Sequence, residues 1–412
     1  MAQYSSTLIY ISLFFGLYYQ IFILITLFEK ESKKIVSKKA AFDDVTAPSV
    51  SIIIPCFNEE KTLEKTVLSL LNLDYPKEKL SIIIVDDGSK DSTYTKALEL
   101  TKYPSVKAFT QKNGGKYVAL NFGIKKSDAD IVGCLDADST VHRDSLKKMI
   151  PFFDKEKTVA VTPAMKVQNP VNILQRMQNT EYNIGILLKK VMGKLDAIHV
   201  TPGPFSLFKR DLFNKIGYFK HAYNTEDMEI AFRIQENHYR IANCANAFVY
   251  TITPTTLKKL YVQRTRWTYG FIKNAIDYKH LIFNPRYGNI GMLTLPFAVI
   301  SSIVALLIFG NTIYNFFVYI LQHLQKYIIA GFSFNRISFD PFFLNTSSVM
   351  ILTTIMFVFS LILIFLAWKL AEGKSFPNRD VLYFIAFYGF IAPLWLAKAS
   401  FNVLASRSTP WR

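Results

Sequence analysis

The residues of this chain best suited to chemistry are carboxylates that arrive in pairs at the ends of short apolar runs. Ile131-Val132-Gly133-Cys134-Leu135 stops at Asp136-Ala137-Asp138, and Leu80-Ser81-Ile82-Ile83-Ile84-Val85 stops at Asp86-Asp87-Gly88-Ser89. Runs of that length read as buried strands, and the carboxyl end of such a strand is where open α/β sheets place their ligands. No cation close in sequence neutralises Asp136 and Asp138. If the chain turns there, both can converge on one hard cation, Mg²⁺ or Mn²⁺, shared with phosphate oxygens. The alternative is that Asp138 starts a turn and caps a helix at Asp144-Ser145-Leu146.

The elements that position these groups follow from periodicity. Val50 to Ile54 is a buried-strand run that Pro55 stops, and Asn58-Glu59-Glu60 opens a helix with apolar residues at Leu63, Val67, Leu70 and Leu71. Val106 to Phe109 is a third candidate strand, and Asn113-Gly114-Gly115-Lys116 is a turn into a helix starting at Tyr117. Strand and helix alternate in short periods, which predicts a mostly parallel sheet with right-handed crossovers. Both carboxylate pairs then fall at one edge of that sheet, which strengthens the cation-and-phosphate reading.

Composition bounds the rest. Of 412 residues half are apolar and 15% aromatic, too greasy for an ordinary soluble enzyme, and the formal charge is +17. That charge favours an anionic membrane face or anionic substrates; the basic residues are scattered without a nucleic-acid motif, so no nucleic-acid partner is expected. Cys56, Cys134 and Cys244 lack metal-ligand spacing and read as reduced, buried thiols. Leu8 to Phe28 is uncharged, and its ~21 residues suffice to cross a bilayer core of ~30 Å. Lys30, Lys33, Lys34, Lys38 and Lys39 follow, against Glu29 and Glu31, so the N-terminus is expected outside and the following domain in the cytoplasm.

Six short motifs occur in order: Pro55-Cys56-Phe57-Asn58-Glu59-Glu60, Asp86-Asp87-Gly88-Ser89, Asn113-Gly114-Gly115-Lys116, Asp136-Ala137-Asp138, Thr225-Glu226-Asp227 and Gln263-Arg264-Thr265-Arg266-Trp267. Together they resemble the processive, membrane-bound branch of the family 2 glycosyltransferases, to which cellulose, hyaluronan, chitin-oligosaccharide and poly-N-acetylglucosamine synthases belong. The resemblance spans roughly residues 48–280. It implies an α/β GT-A-type nucleotide-sugar-binding domain inserted between α-helical transmembrane segments. By resemblance Pro55, Phe57, Glu59 and Asp87 hold the uracil and ribose, Lys116 approaches the diphosphate, Asp136 meets the nucleotide, and Asp138 meets the metal. A flat base needs an apolar shelf, a diphosphate needs a cation, and the metal needs hard oxygens. Two turn residues leave alternatives: Asp86 suits the head of a type I turn, and Lys116 suits a solvated one, although Gly114 and Gly115 free the backbone for close approach.

On the acceptor side, Pro202-Gly203-Pro204-Phe205-Ser206 resembles a family segment that normally reads Ser-Gly, with Thr201-Pro202 in place of the serine. Thr225-Glu226-Asp227 leads into a periodic helix, for which Thr225 is a good N-cap and the two acids suit the dipole. The functional reading adds Asp227 as the general base that deprotonates the acceptor hydroxyl, with Glu226 beside it. A single displacement then inverts the anomeric centre, and no carboxylate nucleophile is needed. Leu257 to Ile276 is basic and amphipathic, a helix for the membrane surface. By resemblance Arg266 neutralises the leaving diphosphate and Trp267 stacks on the acceptor sugar, with Gln263 and Arg264 supporting; the alternative is an anchor whose arginines bind lipid phosphate.

Further uncharged runs cover about Tyr287–Leu321, Pro341–Trp368 and Val381–Ala397. The first exceeds one span and reads as a tilted helix plus an interfacial piece, or as a tight pair. Three C-terminal spans, four in all, keep Lys369, Lys374 and Arg379 inside and the 322–342 loop outside. Asn345-Thr346-Ser347 matches a glycosylation acceptor but abuts a span. The resulting layout is a span at 1–28, the catalytic domain at 29–255, interface helices at 256–285 and a membrane bundle at 286–412. Three functions compete: extension of a β-linked polysaccharide from a UDP-sugar with export as a further expectation, single transfer to a lipid or lipid-linked acceptor, and a membrane scaffold with a degenerate nucleotide domain. Intact carboxylates at Asp87, Asp136, Asp138 and Asp227 argue against the last.

Overall fold

The computed structural model describes residues 2–29, 43–154, 157–331, 347–373 and 379–407. Lys30 to Lys39, Lys374, Asn345-Thr346 and the later part of the 322–342 loop lie outside these, so the charge-flank and glycosylation expectations find no structural counterpart. The strands are β1 (Val50–Cys56), β2 (Leu80–Asp86), β3 (Val106–Thr110), β4 (Ile131–Cys134), β5 (Ser139–Val141), β6 (Thr158–Val167), β7 (Ser206–Lys209) and β8 (Arg240–Thr251). The helices are α1 (Ala2–Phe28), α2 (Leu63–Leu71), α3 (Thr93–Leu100), α4 (Lys116–Lys125), α5 (Ser145–Met149), α6 (Ile173–Lys194), α7 (Leu212–Ile216), α8 (Glu226–Glu236), α9 (Leu257–Asp277), α10 (Leu295–Ala330), α11 (Ser348–Glu372) and α12 (Asp380–Leu404).

The chain divides into two units, Met1–Thr26 with Phe297–Leu363, and Leu27–Pro296 with Ile364–Arg412. The larger unit holds one eight-stranded sheet in the order β3-β2-β1-β4-β7-β6-β8-β5. Its first half is parallel, with Cys56 opposite Asp86 and Ile53 opposite Cys134, so the ends of β1, β2 and β4 share one edge. The second half departs from the mostly parallel expectation: β7 runs antiparallel to β4 and β6, and β5 antiparallel to β8. Strand direction depends on how the chain returns, which no local run of residues records. The core under the first half is built from fully buried Ile52, Ile54, Ile82 and Ile84 against Leu63, Val67 and Leu70 of α2. Continuous apolar strands covered on both faces are the pattern of a parallel sheet with flanking helices. Asp138 leads into β5, not a helix, so the helix-cap alternative is excluded.

In the same unit α12 lies along α6 and α9. In the smaller unit Tyr19 stacks on Phe297 at 3.8 Å and Gln20 Nε2 donates to Ser360 Oγ at 2.7 Å. Gly16 has no room for a Cβ beside Met356 Sδ, which would lie 2.9 Å away, so α1 packs closely on α11 there. Among the described residues four helices are long and apolar enough to cross a membrane: Thr7–Phe28, Ile290–Leu324, Ser348–Glu372 and Asp380–Leu404. The long run after Tyr287 is therefore one helix with a π-helical first turn, Ile290–Thr294, not a tight pair.

Candidate active site

The shared edge of β1, β2 and β4 carries the donor-side residues. Phe57, just past β1, leaves its ring 38% exposed, an apolar shelf at a sheet edge that is otherwise polar. Pro55 is half-buried within β1, and Glu59 accepts from Thr62 Oγ1 at 2.9 Å. Asn58 adopts a left-handed φ of 57° and spans to the next loop, its side chain accepting from Lys90 N at 2.9 Å. Asp87 sits beneath the glycine turn. Its carboxylate accepts from Gln111 Nε2 at 2.7 Å, Gly114 N at 3.0 Å and Gly115 N at 2.8 Å. With three acceptor sites filled and 3% exposure, Asp87 anchors the loop that delivers Lys116, a more structural duty than the expected ribose contact. Gly115 has φ +93°, which only glycine adopts without strain.

Lys116, the first residue of α4, is no solvated turn residue. Its Nζ lies 2.5 Å from Asp136 Oδ1 and 3.4 Å from Glu226 Oε1. Burial alone would depress its pKa, but Asp136, Glu226 and Asp227 outweigh that and hold the ammonium charged. Gly203 closes over the pair: a Cβ there would lie 2.6 Å from Lys116 Nζ and 3.0 Å from Asp136 Oδ1. The acceptor-side segment thus reaches the donor-side ion pair through backbone, where a side chain would not fit.

Among the described residues Asp138 forms no such ion pair, and Lys116 opposes the rise in its pKa only weakly. Burial first, then Asp136 and Glu59, push its carboxyl up to about 6, and Ser139 Oγ donates a hydrogen bond to it at 3.1 Å. A carboxylate made basic by neighbouring carboxylates is a donor set suited to a hard divalent ion. Among the described residues no three His, Cys, Asp or Glu side chains form a complete cage, so such an ion would need further oxygens from a ligand.

Thr225 ends a short turn in which Ala222, Tyr223 and Asn224 all have positive φ, and α8 starts at Glu226. The expected Thr225 cap is present in position but not in bonding. Its hydroxyl donates to Ala222 O at 2.8 Å and accepts from Asn274 Nδ2 of α9 at 3.0 Å. Burial, then Glu226, raise Asp227 to about 6, against the opposing pull of Lys116 and Arg266. The backbone oxygen of Asp227 accepts from Thr201 N and Oγ1 at 3.0 and 2.8 Å, so threonine in the departing Thr-Pro position supports the base directly.

Helix α9 starts where its amphipathic pattern places it, with Thr256 capping Lys259 N. Arg266 Nη1 donates to Asn224 O at 2.7 Å and so lies beside the turn that carries Asp227. Arg264 points elsewhere. It is buried, bonds Glu181 Oε2 of α6 at 2.8 Å, and covers the Trp267 ring at 4.2 Å. Tyr388 of α12 donates to the same glutamate at 3.1 Å, and Gln263 accepts from Arg264 at 3.2 Å. Gln263 and Arg264 are therefore placed to brace Trp267, with Glu181 as the carboxylate that Arg264 meets among the described residues. Sequence reasoning missed Glu181, Gly270 and Asn274, and also Lys189 and His199. Burial lowers Lys189 to about 8, with Asp227 opposing, and lowers His199 to about 4, with Lys189 adding to it.

A model of glycosyl transferase family 2 matches residues 51–217. The chain is 29% identical over 350 residues to a poly-beta-1,6-N-acetyl-D-glucosamine synthase of Staphylococcus epidermidis, covering 82% of this chain and 83% of that one. It is 31% identical over 271 residues to the synthase of the same name from Staphylococcus aureus strain COL, covering 65% of each. A solved mannosyltransferase from Pyrobaculum calidifontis, in complex with GDP-mannose and Mn²⁺, matches with a TM-score of 0.64 and 17% identity over 97% of both chains. That likeness is one of fold: a GT-A-like sheet domain accompanied by apolar helices.

Proposed function

We propose that this chain, whose residues 51–217 match glycosyl transferase family 2 and whose apolar helices are long enough to cross a membrane, transfers N-acetylglucosamine from UDP-N-acetylglucosamine to the end of a growing β-linked polysaccharide. The names of its staphylococcal relatives support the sugar and the polymer. The observation that carries the reading is the Lys116 cluster, which ties Asp136 at the donor edge to Glu226, one residue from Asp227. Donor and acceptor chemistry thereby meet within one electrostatic unit.

The uracil rests on Phe57 and Pro55, with Glu59 at its polar rim. Asp87 holds the glycine turn so that Lys116 can exchange Asp136 for diphosphate oxygens as the donor enters. Asp138 and Asp136 would hold Mg²⁺ or Mn²⁺, which when bound neutralises charge on the diphosphate. Asp227 takes the proton of the acceptor hydroxyl while that oxygen forms its bond to the anomeric carbon. The bond from that carbon to the phosphate oxygen breaks, UDP departs, and the configuration inverts. Arg266 stands beside Asp227 to receive the diphosphate charge, and Trp267, held by Arg264, offers a ring to the terminal sugar. An aromatic platform grips a sugar without measuring chain length, which suits repeated extension. The basic residues flanking the spans favour a cytoplasmic catalytic domain with four spans in the cell membrane.

The test is incubation of the detergent-purified chain with a panel of radiolabelled UDP-sugars plus Mg²⁺ or Mn²⁺, sizing the product. UDP-N-acetylglucosamine should give long labelled chains. Preference for another sugar, or only single additions, would overturn the reading.

A further inference from the structure

A groove of about 760 Å³ lies between the starts of α6, α9 and α12. Its far wall is a stripe of α12, Tyr383, Phe387 and Ile391, spaced four residues apart and so on one face of the helix. That helix is apolar enough to cross a membrane. The near wall includes Leu257, the first residue of α9, which is 54% exposed. The rim adds Val171 at 79% and Ile173 at 53% exposure, apolar surface that water disfavours.

Two guanidinium groups, Arg176 and Arg379, line the end of the groove where α12 begins. The acid beside them is Asp380, 3% exposed, whose oxygens lie 3.8 Å from Arg176 Nη1 and 3.1 Å from Asn179 Nδ2. Among the described residues at that end, one carboxylate against two guanidiniums leaves a net positive mouth on an apolar trough. A guanidinium pairs with phosphate through two parallel hydrogen bonds, whereas a zwitterionic headgroup would bring its own cation to a positive site. A span entering the bilayer puts such a mouth at headgroup depth and the trough beside acyl chains.

We infer that the groove bounded by Arg176, Leu257, Arg379, Tyr383, Phe387 and Ile391 seats an anionic phospholipid, its phosphate between the two arginines and one acyl chain along α12. The occupant joins α12 to the first turn of α9, two turns before Arg264 and Trp267. Lipid binding there is a condition on how firmly the acceptor helix is held, separate from which sugar the enzyme uses.

The test is lipid retention by the full chain, purified in detergent and mixed with phosphatidylglycerol or phosphatidylcholine of matched acyl chains, read by native mass spectrometry. The wild type should retain phosphatidylglycerol roughly tenfold better, the scale of a lost charge-assisted hydrogen bond. Arg176→Gln with Arg379→Gln should erase that preference. Leu257→Trp, at an exposed position that tolerates bulk, should lower retention of both lipids by blocking the chain seat. Lys102→Glu, on the exposed end of the sheet domain, should change neither and controls for global charge. Equal retention of both lipids by the wild type would overturn the inference. So would undiminished preference in the arginine variant, or displacement of phosphatidylglycerol by a lipid-linked saccharide, which would make the groove an acceptor site. If the arginine variant melts early, the Leu257→Trp result alone decides.

Discussion

Gly270→Ala tests how the two halves of the site are joined. Gly270 of α9 lies against Thr225 at the head of α8, and a Cβ there would collide with Thr225 Oγ1 and Cγ2 and lie 2.8 Å from its Cβ. Inserting a methyl group into a packed contact costs ~1–3 kcal/mol. Alanine returns about 0.5–1 kcal/mol as the better helix former, so the net loss should fall between about 0 and 2.5 kcal/mol, with a centre near one decade in rate. Relief comes by moving α9 off Thr225, which stretches the Asn274 hydrogen bond and shifts Arg266 and Trp267 relative to Asp227. A misplacement of that energy slows transfer by roughly tenfold, since about 1.4 kcal/mol is one decade in rate. UDP affinity should fall less than transfer, because of the proposed UDP contacts only Arg266 lies on α9. The assay is polymer formation beside UDP binding, with Thr225→Gly in the same chain as rescue, since glycine also serves at a helix N-cap. Full activity with an unchanged or raised melting temperature in Gly270→Ala would refute the reasoning.

Three further outcomes are expected. Arg264→Ala leaves Glu181 without its guanidinium partner in a largely buried setting, and losses of ~3–5 kcal/mol accompany such breaks; thermal melting should fall and polymer length should shorten together. Trp267→Ala should collapse extension while slow release of UDP from the donor persists, and Trp267→Phe should retain part of the extension; equal effects of the two variants on product length would reduce Trp267 to an anchor. Asp138→Ala should abolish transfer and weaken UDP binding measured with added Mg²⁺ or Mn²⁺, and wild-type activity untouched by a chelator would contradict the metal assignment.

The donor half was legible because its strands are uninterrupted apolar runs that end in acids, as at Val85-Asp86 and Leu135-Asp136. Turn chemistry marked Asn113 to Lys116, and spacing marked α9 and the spans. The partners were not legible where the bond crosses long stretches of chain. Arg264 looked like a substrate or lipid ligand, yet its partner Glu181 is 83 residues away in a helix without a motif. Asp87 reads in the sequence as a nucleotide contact, yet the backbone it serves is the glycine turn 27 residues on. The second half of the sheet hides for a similar reason: β6 and β8 pair in parallel across a long connection while β7 enters reversed, and neither direction leaves a local trace.

The most direct measurement is the pH profile and turnover of Asp227→Asn, with UDP affinity measured alongside. Asparagine keeps the shape and the backbone bond to Thr201 but cannot accept the proton. Transfer should fall by ~10²–10⁴, the usual worth of a general base, while UDP binding stays unchanged. In the wild type a base raised to about 6 must be ionised to act, so transfer should decline as the pH is lowered through about 6, and this limb should vanish in the variant. Near-normal turnover in Asp227→Asn, or an acid limb that survives the substitution, would contradict the account.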